Sequence, residues 1–221
     1  MIRAIMSGDF LTMVLTAFSI LVMLFVVFPV HECSHALMAK ALGDDTAERQ
    51  GRITLNPFAH LDLLGTIGIV LFRVGWAKPV PVNTARCRKV KSQKTAMALT
   101  AAAGPLANVV SALVFMIIEK ILMVTCPAST TLYYILTALE MIIELDLFNG
   151  VFNLLPIPPF DGSRIFLAFL PQRTYFKIMQ YEQYIMIGLL ILMYTGILSI
   201  PFQFLSNAIY SFLDLITKFI C

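Results

Sequence analysis

Charged residues are scarce in this chain. Asp, Glu, Lys and Arg make up 13% of its 221 residues, while hydrophobic residues make up 59% and the mean hydropathy is +0.84. Soluble domains carry about 25% charged and about 45–50% apolar residues. The composition therefore excludes an ordinary soluble domain and predicts an integral membrane protein that crosses the bilayer several times.

Paired cysteines, a large net charge and a cleavable leader are also lacking. The four cysteines show no paired spacing, so neither a disulfide framework nor a cysteine zinc site is expected. The net charge is only +3, and nothing points to nucleic acid. The N-terminus has no basic flank or small-residue cleavage site, so the first apolar run is expected to be a retained span. No soluble stretch is long enough for a second domain. We expect a single transmembrane domain over residues 1–221, with its catalytic core at about 10–165.

What the chain does contain is long apolar runs. The four longest are residues 10–30, 95–118, 132–155 and 185–204. A run of about 20 apolar residues is needed to cross a hydrocarbon core of ~30 Å as a helix. The sequence therefore predicts an all-α polytopic membrane protein with about four to five transmembrane helices.

The segment between the first two runs, residues 44–94, is the least apolar part of the chain. Within it, Leu63–Phe72 is apolar but too short to span, which predicts a re-entrant or interfacial segment. Pro79 and Pro81 exclude a helix interior, so residues 76–83 are expected to be extended and to line a protein cavity.

The third run is unusual because it carries carboxylates. Glu140 and Glu144 lie one helical turn apart within it. They are candidates for metal ligands, for a proton path, for carboxylates protonated in an apolar setting, or for residues near the membrane surface. Protonation or a place near the surface is favoured over a role as ligands.

Basic residues predict the orientation of the chain. Residues 44–94 are strongly basic, whereas residues 125–131 carry no charge. Cytoplasmic loops are enriched in Lys and Arg, so residues 44–94 and 156–181 are expected in the cytoplasm and the N-terminus outside. The end of the first run and the loop before residue 163 then fall on the same side of the membrane.

The strongest chemical signal is His31-Glu32-Cys33-Ser34-His35, at the end of the first run. Two histidines at this spacing face the same way on a helix and can hold one zinc ion, and the Glu beside the first can act as a general base. The alternative is two polar residues at the end of a helix. The attachment of the motif to a membrane span favours zinc, because ionisable groups at membrane depth are kept mainly where they function.

Two further motifs follow this one in the chain. They are Gly104-Pro105-Leu106-Ala107-Asn108 and Asn153-Leu154-Leu155-Pro156-Ile157-Pro158-Pro159-Phe160-Asp161-Gly162. With the histidine motif, they make residues 25–165 resemble the site-2 protease family of zinc intramembrane metalloproteases. Asn56-Pro57-Phe58-Ala59-His60 and the stretch 78–83 resemble its small prokaryotic branch. PDZ and CBS domains, which many members carry, do not fit in this chain.

The resemblance implies one zinc ion per chain, with Asp161 as the third ligand beside His31 and His35. Without the resemblance, Asp161 is as readily explained as an N-cap of the following helix. Three protein ligands leave a fourth position open, as a catalytic zinc site requires. Glu32 is then the general base, and Asn153 is expected to donate a hydrogen bond to the developing oxyanion.

His60 is an alternative oxyanion donor. Asn108 is a candidate for substrate contact, although simple helix packing explains it equally well. The expected partners are a transmembrane protein substrate and the lipid bilayer, and the expected location is a prokaryotic plasma membrane with the active site facing the cytoplasm.

A membrane transporter or channel with a metal site is the rival from another class, because broken helices and intramembrane carboxylates also mark ion paths. The chain shows no internal repeat, and its polar residues concentrate toward one end of the membrane, which disfavours transport. A zinc scaffold without turnover would not need Glu32.

Overall fold

The computed structural model describes residues 10–72, 76–194 and 199–220, and every regular element within them is helical. The all-α prediction is therefore confirmed over the described residues. The helices are α1 (Phe10–Leu42), α2 (Thr46–Arg49), α3 (Leu63–Phe72), α4 (Gln93–Thr125), α5 (Thr130–Asn153), α6 (Asp161–Phe166), α7 (Gln172–Met179), α8 (Glu182–Tyr194) and α9 (Ser199–Ile216). Short 3-10 turns lie at Pro57–Ala59, Thr84–Arg86 and Leu167–Phe169.

Helix α1 carries the histidine motif on its second half. It is continuous past Pro29 because a π-helical turn at Met23–Val27 precedes the proline, and the Phe28 N–H bonds to the Met23 carbonyl five residues back. Proline lacks the N–H of an ordinary helical bond, and a π turn is one way to absorb that loss. The helix ends at Gly43, whose φ of 109° is readily adopted only by glycine.

Two of the described helices are long and apolar enough to cross a membrane. They are α1 and α4, each with 33 residues. The other two predicted runs are also largely helical: the third forms α5, and the fourth coincides with parts of α8 and α9, residues 195–198 lying outside the described part. A total of four to five spans stays a prediction.

The segment between α1 and α4 contains two short helices, α2 and α3, and an irregular stretch at residues 76–83, which we call the extended stretch after its predicted conformation. Leu63–Phe72 is helical, as α3, and residues 76–83 form no helix or strand. Residues 76–83 thus avoid the helix that Pro79 and Pro81 exclude, while an extended conformation along their whole length and a re-entrant placement of α3 in the membrane stay predictions. Arg52 supports this stretch: its Nη2 donates to the Lys78 carbonyl at 2.7 Å.

Helices α1, α4 and α5 pack against one another, and α6 lies against α4. An apolar cluster from the middle of α1, including Met23, Leu24 and Phe28, buries Ile69 of α3 and Ala77 of the extended stretch. Within a membrane such side chains stabilise the fold by close packing rather than by leaving water, because lipid tails are as apolar as the side chains. This packing brings the second half of α1, the start of α6 and the extended stretch together.

Candidate metal centre and active site

Three side chains from two distant parts of the chain converge at the second half of α1. His31 Nε2, His35 Nε2 and Asp161 Oδ2 form a triangle in which each pair of atoms is 3.1 Å apart. The two histidines are buried and Asp161 is nearly so. Asp161 is the first residue of α6 and follows His35 by 126 residues in the sequence. The packing of α6 against α4 brings the two side chains together.

The other nitrogen of each imidazole is engaged elsewhere. His35 Nδ1 donates to the Thr100 carbonyl at 2.7 Å, and His31 Nδ1 lies 2.5 Å from Asn108 Oδ1. Since both partners are acceptors, each neutral imidazole carries its hydrogen on Nδ1 and its lone pair on Nε2. Two lone pairs and a carboxylate oxygen thus face one another, an arrangement that a cation stabilises.

The residues present fit zinc. Zinc bonds to nitrogen and oxygen are about 2.0–2.1 Å long, so the ligands of a tetrahedral site stand about 3.3 Å apart. The observed separations of 3.1 Å match this value closely. Two imidazoles and one carboxylate are also the ligand chemistry of a catalytic rather than a structural zinc site.

A buried polar network behind His31 fixes its orientation. Asn108 Nδ2 donates to Asp146 Oδ1 at 2.6 Å, and the Ser111 hydroxyl donates to the second oxygen of Asp146. Asp146 and Asn108 are almost completely buried, at 0% and 1% exposure. Outer partners of this kind orient a ligand and raise its basicity. Asp146 was not among the predicted site residues, and its position seven residues before Asn153 on the same helix was the available signal.

Gly104 allows α4 to pass directly over the histidines. A Cβ atom at this position would lie 2.4 Å from His35 Nε2 and 2.6 Å from His31 Cε1. Real Cβ atoms do not approach other atoms this closely, so any side chain here would displace the imidazoles. The motif Gly104–Asn108 therefore contributes to the site in two ways: Gly104 leaves room for the imidazoles, and Asn108 bonds to His31.

Glu32 lies in the same cavity as the three candidate ligands. The cavity has a volume of about 310 Å³, and its lining also includes Val80, Asn149 and Asn153. Glu32 Oε2 accepts a hydrogen bond from the Val80 N–H at 3.0 Å. Because Pro79 and Pro81 have no N–H, Val80 supplies the one backbone donor of this triplet, and it holds the carboxylate of Glu32.

Asn153, Asn108 and His60, the other predicted site residues, differ in their position relative to the cavity. Asn153 lines the cavity, but its Nδ2 donates to Asn149. Asn108 uses both ends of its amide behind His31, so its contacts favour orienting that ligand over touching substrate. His60 is fully buried, its Nε2 bonds to the Thr54 carbonyl, and its own carbonyl accepts the Lys78 N–H at 2.7 Å, so it supports the extended stretch.

Comparison with known proteins identifies a bacterial relative. The chain is 39% identical over 180 residues to the protein of Bacillus subtilis (strain 168) named "Putative zinc metalloprotease YwhC". The matched part covers 80% of this chain and 80% of that protein. No family model matches the chain. No solved structure matches it either.

Proposed function

Because the chain belongs to the site-2 protease-like family of zinc metalloproteases, we propose that it is an intramembrane endopeptidase that cleaves transmembrane segments of other proteins. One observation carries this proposal: the His31, His35 and Asp161 triangle, the Glu32 carboxylate and an extended stretch of backbone all border one cavity. Among the described helices, the two that are long and apolar enough to cross a membrane, α1 and α4, both contribute to this cavity.

Glu32 performs the proton transfers. When bound by the three ligands, zinc acidifies water and polarises the scissile carbonyl. Glu32 takes a proton from the water as the water oxygen bonds to the carbonyl carbon of the substrate. It then gives this proton to the leaving nitrogen as the C–N bond breaks. Its Oε2 is held by Val80, and its Oε1 bonds to no other described residue, so Oε1 is the oxygen available to water.

The extended stretch is the proposed docking edge for substrate. A transmembrane helix keeps its carbonyls in internal hydrogen bonds, so it must unwind locally before cleavage. The Val80 carbonyl and the Val82 N–H bond to no other described residue, and both residues border the cavity. An unwound substrate can therefore add to residues 80–82 as a β-strand adds to a sheet edge.

The test is cleavage by the purified protein in lipid vesicles. The reporter is a single transmembrane segment tagged at both ends, with an Asn-Gly pair in its cytoplasmic third to ease unwinding. We expect the wild type to cut the reporter once, a zinc chelator to stop cleavage and added zinc to restore it. A zinc-loaded protein that leaves a set of such reporters intact but moves ions across the vesicle membrane would instead support a transporter.

We also propose that the active site faces the cytoplasm, because the basic segment 44–94 lies beside it. Lys91 and Ala128 are exposed positions just before α4 and α5, and replacing them leaves the capping residues Ser92 and Ser129 in place. With Cys126 and Cys221 changed to Ser, Lys91→Cys should react with an impermeant thiol reagent only from the cytoplasm, and Ala128→Cys only from outside. The reverse pattern would place the active site on the outer side.

A further inference from the structure

Two asparagines one turn apart lie at the end of α5, and both border the catalytic cavity. Asn149 and Asn153 share a helix face because their spacing is four residues. The same cavity is lined by His31, Glu32 and Asp161. Either amide is therefore placed to meet a peptide bound there.

The hydrogen bonds of the two amides differ. Asn153 Nδ2 donates to the Asn149 backbone carbonyl at 3.0 Å and to Asn149 Oδ1 at 3.3 Å, so its amide hydrogens are engaged within the protein. Asn149 Nδ2 is buried and has no hydrogen-bond partner among the described residues. Turning the Asn149 amide over would bring two NH₂ groups face to face, so the bond from Asn153 sets its orientation.

An unpaired buried donor of this kind is costly. It destabilises a fold by about 1–3 kcal/mol, and native proteins leave few of them. Asn149 is only 8% exposed, so bulk water does not compensate for the missing bond. A buried donor beside a catalytic cavity is instead satisfied when a ligand oxygen enters.

We propose that Asn149, oriented by Asn153, donates a hydrogen bond to the carbonyl oxygen of the scissile peptide. This inference rests on the proposed proteolytic function. As water adds to the carbonyl carbon, the oxygen gains negative charge, and a donor already in place stabilises that charge without reorganisation. Asn153 is then a positioning residue that acts through Asn149, rather than the oxyanion donor itself.

The expected effect falls on kcat. Asn149→Ala removes the donor, and loss of one oxyanion donor lowers kcat by about 10²–10³-fold. KM should stay nearly constant, because the bond strengthens mainly in the transition state. Zinc content and the thermal midpoint should not fall, because the ligands are untouched and an unsatisfied donor is gone. Asn149→Asp, which keeps the shape and the acceptor for Asn153 but has no N–H, should lose kcat as well.

A double-mutant cycle separates the roles of the two asparagines. If Asn153 acts through Asn149, Asn153→Ala should cost less than Asn149→Ala, and the double variant should be no worse than Asn149→Ala alone. A larger loss for Asn153→Ala, with the two losses multiplying, would overturn the proposal and return the donor role to Asn153.

Further outcomes keep this inference separate from the proposed function. If the wild type cuts the reporter and both Asn149 variants cut it at near wild-type kcat, the assignment of Asn149 is wrong while the protease assignment stands. If both variants lose zinc or unfold at lower temperature, Asn149 is a structural residue and the assignment is likewise wrong. If the wild type does not cut any reporter, the proposed function itself fails.

Discussion

Replacing Glu32 by Gln is expected to lower the cleavage rate at least about 10²-fold, the lower end for general acid–base catalysis. The substitution keeps the shape of the side chain, and a Gln carbonyl oxygen can still accept the Val80 N–H that holds Glu32 in place. It removes only the ability to take a proton from water. Zinc content and binding of an uncut reporter should therefore remain, and these are measured by metal analysis and by co-purification.

A matched control is available elsewhere on the surface. Glu48 pairs with Lys40 at 2.7 Å outside the cavity, and Glu48→Gln should leave cleavage unchanged because an exposed ion pair contributes little. Normal cleavage by the Glu32→Gln variant would contradict the mechanism. Loss of zinc in that variant would show that Glu32 supports the metal site rather than the proton transfer.

Removing the Asp161 carboxylate is expected to abolish both metal binding and cleavage. Asp161 Oδ2 is one corner of the triangle, and no hydrogen bond from a described backbone N–H reaches its carboxylate, so it does not cap α6. Loss of an outer partner of a ligand costs about 10–100-fold in metal affinity, and loss of the ligand itself should cost more. Asp161→Ala should therefore purify with little zinc.

Asp62→Ala provides the control for this change. Asp62 borders the same cavity, but its Oδ1 accepts the Gly65 N–H at 2.8 Å at the start of α3. Its loss should cost about 1 kcal/mol of stability, as for a helix cap, and leave zinc bound. Full zinc content and activity in Asp161→Ala would show that the third ligand lies elsewhere in the chain.

The histidine pair of the metal centre could be predicted from the sequence because its spacing is a local signal. His31 and His35 are one turn apart, which places them on one helix face regardless of the rest of the fold. The addition of Asp161 came from resemblance, and the structure confirms that the three ligand atoms lie together. No local rule joins residues 35 and 161, since only the packing of α4 and α6 brings them into contact.

The hydrogen-bond partners of the site could not be predicted in the same way. Whether an amide such as Asn149 or Asn153 is free or engaged depends on side-chain orientations that spacing does not determine. His60 illustrates the point: its motif suggested a role as an oxyanion donor, but its ring is buried and bonded to the Thr54 carbonyl, and its backbone carbonyl accepts the Lys78 N–H of the extended stretch.

The fold, like the site, could be predicted from the sequence only in part. Long apolar runs predicted helices, because helix formation depends largely on local properties of the chain. Pro29 alone could not show whether a kink, a new helix or continuation would follow. The helix continues past Pro29 because of the π turn before it, and such a turn has no clear sequence signal.

The distance along the chain between His35 and Asp161 also has a consequence for the order in which the metal centre is completed during synthesis. Asp161 follows His35 by 126 residues. At about 5–20 residues per second, a ribosome needs about 6–25 s to cover that interval. During this time the growing chain has both histidines but lacks the third corner of the triangle. The three-residue metal centre is therefore completed only when the packing of α6 against α4 follows, however early α1 folds.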